Sequence, residues 1–138
     1  QLSCRDGSRE CTILWVGNPQ CALFVEDFEF DWRSLGAQIE RHPQFPNRTN
    51  VSFVKVLDRH TLDLRFFERG AGFTMSSGTG STGAVAAALA RGLVESPVTV
   101  RTLAGPLEFR SEGEALTMVG PAEIVAGGEF YFTGRLAK

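Results

Sequence analysis

The densest chemistry in the chain lies between Glu68 and Gly83, which read Glu-Arg-Gly-Ala-Gly-Phe-Thr-Met-Ser-Ser-Gly-Thr-Gly-Ser-Thr-Gly. A carboxylate and a guanidinium stand side by side where a strand pattern ends. Small residues follow, and then the run Ala-Val-Ala-Ala-Ala-Leu-Ala-Arg-Gly-Leu from Ala84 to Leu93. That run is small and apolar nearly all round, which predicts a buried helix over 84–93. The start of such a helix offers outward-pointing backbone N–H groups and the positive end of a dipole. Glycines let a ligand come close to that backbone. The place suits a carboxylate, a phosphate or a developing oxyanion. A phosphate-binding P-loop is excluded because no lysine follows the last glycine. A dinucleotide fingerprint is excluded because no parallel β-α-β unit surrounds the loop. Taken alone, the glycines also fit a capped helix start, and Glu68-Arg69 also fits an exposed ion pair of about 0–1 kcal/mol.

The elements that must position these residues are short and separated by glycine and proline. Thr12–Val16 and Ala22–Val25 read as strands joined by a Gly17-Asn18-Pro19 turn. Trp32, Leu35 and Ile39 share one face of a helix expected from Asp31 to about Arg41, with Asp31 as N-cap and Pro43 and Pro46 as its stop. Val51–Leu57 and Thr61–Phe67 alternate as strands around a turn at Asp58-Arg59-His60. Beyond the apolar helix, strands are expected at Val98–Leu103, Leu107–Arg110, Ala115–Val119 and about Ala122–Phe132. The pattern predicts one α+β domain over residues 1–138: a curved, mostly antiparallel sheet wrapped around a buried central helix.

Composition narrows the function classes. With 138 residues and 43% hydrophobic content the chain holds one compact core. Fourteen basic against sixteen acidic residues leave a net charge of −2, which supplies no field for nucleic acid or an anionic membrane. No apolar run approaches the ~20 residues of a membrane span. Cys4, Cys11 and Cys21 are odd in number and match no common zinc spacing, and His42 and His60 lie far apart, so a metal cluster is not expected. Ordinary reduced thiols and a cytoplasmic location are the expectation. His42 at a helix end and His60 in a turn are given no catalytic role. Trp15, Trp32 and the eleven phenylalanines read as core. Gln1 in place of a methionine reads as a trimmed or processed start.

Three segments together resemble the diaminopimelate epimerase family: Gly17-Asn18-Pro19-Gln20-Cys21, Phe45-Pro46-Asn47-Arg48-Thr49-Asn50-Val51, and Glu68-Arg69-Gly70-Ala71-Gly72 followed by Gly78-Thr79-Gly80. They fall in family order over about residues 12 to 93, in the part that forms the family's C-terminal half. The resemblance implies two β-wrapped halves with the active site between them, of which this chain would be the second. It also implies interconversion of LL- and meso-diaminopimelate in lysine biosynthesis, with no cofactor and no metal. The substrate is a small amino acid, and the missing N-terminal half or a second copy of the chain would complete the site. Carried over by motif, Asn18, Asn50, Glu68, Arg69, Gly78 and Thr79 would bind substrate, and Glu68 would also orient the acid/base. The isolated half would expose apolar surface and self-associate.

The chain departs from the family pattern at three places. Ser77 stands at the position of the second catalytic cysteine. A hydroxyl is a far weaker acid than a thiol and serves as a base only when another group takes its proton. Gln20 replaces a histidine and cannot titrate near neutrality. Phe73 replaces an acidic residue and is expected to pack on the core or narrow the pocket. Three readings stay open at this stage: an inactivated epimerase, a one-base isomerase or dehydratase like the proline-racemase-like or phenazine-isomerase-like enzymes, and a non-catalytic amino-acid-binding domain.

Overall fold

The computed structural model describes residues 1–5, 7–129, 131 and 134. Two short strands, β1 (Leu2–Cys4) and β2 (Gly7–Arg9), pair as a hairpin of their own. The other strands form one sheet: β3 (Thr12–Trp15), β4 (Pro19–Phe24), β5 (Asn50–Asp58), β6 (Thr61–Glu68), β7 (Gly72–Thr74), β8 (Val98–Thr102), β9 (Gly105–Glu112) and β10 (Ala115–Val119). The order runs β10-β9-β8-β6-β5-β4-β3, with β7 also on β6. One edge of β6 is shared. Its first residues take β8 in parallel (Thr61 opposite Thr99), and its last take β7 in antiparallel (Glu68 opposite Gly72). The β4–β5 pair is parallel as well, and the remaining pairs are antiparallel. The expected α+β, mostly antiparallel wrap is therefore the architecture observed.

The sheet is buried on both faces. Helix α2 (Gly78–Ala90) packs on one face, with Val54, Leu62, Leu64, Phe66, Val85, Ala88 and Phe109 in its core. Helix α1 (Trp32–Glu40) and the β1–β2 hairpin cover the other, around Leu2, Cys21, Ile39, Val51 and Phe53. This explains why β5 is buried at five successive positions rather than at alternate ones. The β1–β2 hairpin and β7, with strands of three residues each, are too short to show in the sequence pattern.

Local signals set most boundaries. Asp31 caps α1 through a 3.1 Å bond from the Ser34 N–H, and Ser34 holds the Asp31 carboxyl below its ordinary range, first through its hydroxyl and then through that N–H. His60 N–H donates to Asp58 Oδ1 at 2.7 Å and closes the β5–β6 turn. Three expectations are corrected. Helix α2 starts at Gly78, six residues before 84, because Ser77 caps it. It ends at Ala90 rather than 93: Gly92 sits at φ +66°, its N–H bonds Leu89 O, and Leu93 N–H bonds Ala88 O, the glycine-terminated stop of a helix. Finally, 122–129 is not a strand, and Phe130 and Phe132 lie outside the described residues.

Two glycines are required by close approach. A Cβ on Gly36 of α1 would lie 2.7 Å from Phe67 Cβ, and one on Gly80 of α2 would lie 2.9 Å from Phe66 Cδ1. The Gly36 neighbour is fixed to the backbone of β6 and cannot swing away. Gly36→Ala is therefore expected to destabilise the chain by about 1–3 kcal/mol from overpacking, outweighing alanine's helix advantage of about 1 kcal/mol. A urea denaturation midpoint that rises on substitution would contradict this packing.

Candidate active site

The N-terminus of α2 collects residues from five places in the chain. Ser77, in extended conformation at φ −149°, accepts from Gly80 N–H at 3.1 Å, which is the capping bond of the helix. The same hydroxyl donates to Glu68 Oε1 at 2.5 Å. Glu68 arrives from the end of β6, two residues beyond Phe66, so alternation aims both at α2. The Ser77 side chain thus links the one carboxylate of this cluster to the helix start. Ser77 is 7% exposed.

The loop after β3 supplies the next group. Gly17, at φ +72°, turns the chain so that Asn18 Nδ2 donates to Thr79 Oγ1 at 3.3 Å. Gln20 Nε2 donates to Asn18 Oδ1 at 2.8 Å. Gln20 is only 2% exposed and packs on α2, where a Cβ on Gly83 would come within 3.2 Å of it. Its Oε1 is buried and finds no donor among the described residues.

Asn50 opens β5 and ties two loops together. Its Nδ2 donates to Pro19 O at 3.0 Å, and its Oδ1 accepts from Arg69 N–H at 2.9 Å. Arg69 Nη1 reaches Asn47 O at 3.3 Å. A hollow of about 530 Å³ lined by Trp15, Pro19, Phe45, Pro46, Arg48 and Arg69 opens beside this point. Gly78 and Thr79 head the helix, whose first N–H groups point out of its end.

The structure therefore brings Asn18, Asn50, Glu68, Arg69, Ser77, Gly78 and Thr79 to one end of the fold, together with Gln20. Phe73 is elsewhere. It lies on the α1 side, with its ring 5.7 Å from that of Trp32 and under the Arg33 guanidinium at 4.5 Å, so it packs rather than narrows the site. Cys21 adjoins Gln20 but faces the α1 core, where burial, and then the nearby Cys11, push its thiol far above the ordinary range. It stays protonated and is no substitute for a catalytic thiolate.

The sequence reading missed Glu40. This glutamate is 2% exposed, and its carboxylate accepts from Arg41 Nε at 3.1 Å, from Arg48 Nη1 at 3.2 Å and from Gly70 N–H at 3.2 Å. A signal was available: an acidic residue in the last turn of a helix opposes the dipole, and a tertiary partner must offset it.

Comparison with known proteins decides the family. The diaminopimelate epimerase family model matches residues 12–125. The chain belongs to the diaminopimelate epimerase family. It is 45% identical over 132 residues to the diaminopimelate epimerase of Burkholderia ambifaria, covering 91% of this chain and 46% of that protein. For the Cupriavidus taiwanensis diaminopimelate epimerase the figures are 47% over 116 residues, 82% and 40%. The chain spans about half the length of the relatives it matches. A Bacillus anthracis phenazine biosynthesis protein of the PhzF family shares the fold at TM-score 0.57 and 20% identity, over 80% of this chain and 38% of that one. An Enterococcus faecalis protein of that family does so at TM-score 0.57 and 15% identity. In this diaminopimelate epimerase family member, Asn18, Glu68 and Ser77 meet at the start of α2, and Asn50 and Arg69 are bonded to each other.

Proposed function

We propose that this chain supplies one half of the active site of a cofactor-independent isomerase acting at the carbon next to an amino acid's carboxylate, with interconversion of LL- and meso-diaminopimelate as the nominal reaction. The observation that carries the reading is the Ser77 hydroxyl held between Glu68 and the start of α2. The substrate carboxylate is placed at the helix N-terminus, among Gly78, Thr79 and Asn18, where dipole and N–H groups favour negative charge. Glu68 takes the α-proton, directly or as Ser77 passes its own proton on. The C–H bond breaks, its electron pair stays on the substrate, and the helix end stabilises the resulting charge. Arg69 and Asn50 hold the substrate's polar groups from the β5 side.

Epimerisation needs a proton returned to the opposite face, and the source proposed is the other half of a longer protein or a second copy of this chain. Apolar side chains border the site in support of a docked partner, with Trp15 on the surface rather than in the core as expected from the sequence: Trp15 is 72%, Met75 56% and Met118 45% exposed. Met118 lies over Gly78, its Cε 3.4 Å from where a Cβ there would sit. Among the described residues no helix is long and apolar enough to cross a membrane, and a cytoplasmic biosynthetic role is proposed. A second reading follows from the same bond. With Glu68 as sole base, one carboxylate could return the proton to a different carbon on the same face, a one-base isomerisation.

The test is α-proton exchange in heavy water, followed by NMR with LL- and meso-diaminopimelate, on the protein carrying both halves. Exchange is expected, and Ser77→Cys is expected to raise it about tenfold or more, because a thiol at a helix N-terminus ionises below its usual pKa of about 8.5. Exchange with retention of much of the original hydrogen in a rearranged product would favour the one-base reading. Absence of exchange in both proteins, with no binding of either isomer, would overturn the proposal.

A further inference from the structure

Glu40 is a buried carboxylate that the proposed reaction does not use. It sits on the last turn of α1, on the opposite side of the sheet from α2, and its side chain is 3% exposed. Its bonds go to the two loops that carry the ligand-facing residues. Oε1 takes both Arg48 Nη1 and the N–H of Gly70, each at 3.2 Å, while Oε2 takes Arg41 Nε at 3.1 Å. Its backbone carbonyl accepts from Thr49 N–H at 3.2 Å. Gly70 directly follows Arg69, and Thr49 directly precedes Asn50. Glu40 therefore bonds the neighbours of both members of the Asn50–Arg69 hydrogen bond.

The loop it grips is held in an unfavourable shape. Arg48 has φ +60°, the one non-glycine residue in the left-handed region among the described residues, a conformation that persists only where surrounding contacts impose it. The Arg48 side chain ends on Glu40. A buried carboxylate is costly unless it is paired and hydrogen-bonded. Three donors satisfy this one, so its burial and the shape of both loops depend on each other.

We infer that Glu40 is a positioning residue: its carboxylate clamps the 47–50 and 68–71 loops together and so sets the placement of Asn50 and Arg69 against the substrate. This rests on the proposed function for the role of Asn50 and Arg69, but the clamp itself does not. It is tested on the 138-residue chain by amide hydrogen exchange and by titration with meso-diaminopimelate, for Glu40→Ala and Glu40→Gln. Losing a charged, buried acceptor is expected to speed exchange of the Gly70 and Arg69 amides about tenfold or more in Glu40→Ala. The amides of Val54 and Leu64 in the β5–β6 pair should keep their protection. Glutamine retains an oxygen for the Gly70 N–H and Arg48 Nη1 but loses the charge and the second oxygen that accepts from Arg41, so Glu40→Gln should restore protection at Gly70 and only part of the affinity for diaminopimelate. Equal acceleration at all amides would make Glu40 a general stabiliser and overturn the inference, as would unchanged exchange at Gly70. Both readings keep their force if Glu40→Ala fails to fold, because Glu40→Gln retains the Gly70 contact and probes the loops separately. If the unaltered chain, alone and joined to its other half, neither binds nor turns over diaminopimelate, the proposed function fails, and amide exchange still decides the clamp.

Discussion

Glu68→Gln is expected to lower α-proton exchange by about two to four orders of magnitude, the usual contribution of a positioned general base. Glutamine keeps the shape of the side chain, and its carbonyl oxygen can still accept from Ser77 Oγ, which now donates to Glu68 Oε1 at 2.5 Å. The helix cap, formed by Ser77 and Gly80 N–H, should survive. What is lost is the only group in the cluster able to take a proton, because neither Ser77, Gln20, Asn18, Asn50 nor Thr79 binds one near neutrality. The loss should therefore fall on kcat, with the melting temperature nearly unchanged. Measuring exchange in heavy water beside a thermal melt separates the two. A variant that keeps more than a tenth of the rate while remaining folded would assign the base elsewhere.

Ser77 and Gln20 change together in a way that geometry makes coherent. Gln20 and Glu68 approach the start of α2 from opposite ends of the site, linked through Asn18 and Thr79 on one side and through Ser77 on the other. A cysteine thiolate at position 77 would place negative charge beside Glu68, and a nearby histidine cation would offset it. Serine stays neutral, and neutral glutamine suffices beside it. The departures thus reduce charge on both sides of the helix start while the ligand-facing amides and Glu68 stay in place.

How much of this was readable from the residues depended on range. The hairpin turn at Asp58, the Asp31 cap and the apolar run of α2 are local, and they show in the sequence because neighbouring residues decide them. The boundaries of α2 did not show, because Ser77 acts as a cap only once Gly80 N–H turns toward it, and Gly92 reads as helical until its positive φ is seen. The motif segments were legible in the sequence, whereas the contacts among their residues were not: Asn18 meets Thr79 and Asn50 meets Arg69 across loops that only the sheet brings together. Glu40 escaped notice because two of the three partners of its carboxylate lie 8 and 30 residues away. Phe73 was legible as a departure but not as a packing residue, since its place on β7 depends on a three-residue strand with no pattern of its own.

Phe53→Ala is expected to have the largest effect on stability, a loss of about 3–5 kcal/mol as for other buried aromatic truncations. Phe53 is 0% exposed and meets Phe30 and Trp32 edge-on, at 5.9 and 6.0 Å between ring centres. It stands at the middle of β5, three residues after Asn50, and it faces α1 while Ser52 and Val54 face α2. Removing the ring takes away the contact that holds the start of α1, at Trp32, to the sheet. Two costs add: the lost transfer of the ring and a cavity that a sheet held on both faces cannot close. Against a domain stability of about 5–15 kcal/mol, this brings the chain near unfolding at ambient temperature. Phe53→Leu fills most of the volume and should cost well under half as much. Urea denaturation of both variants checks the ordering, and a loss below about 1 kcal/mol for alanine would mean that α1 is not held by this contact. Function should follow stability here. Loosening α1 moves Glu40, and with it the loops of Asn50 and Arg69, so ligand affinity should fall in Phe53→Ala even where most molecules remain folded.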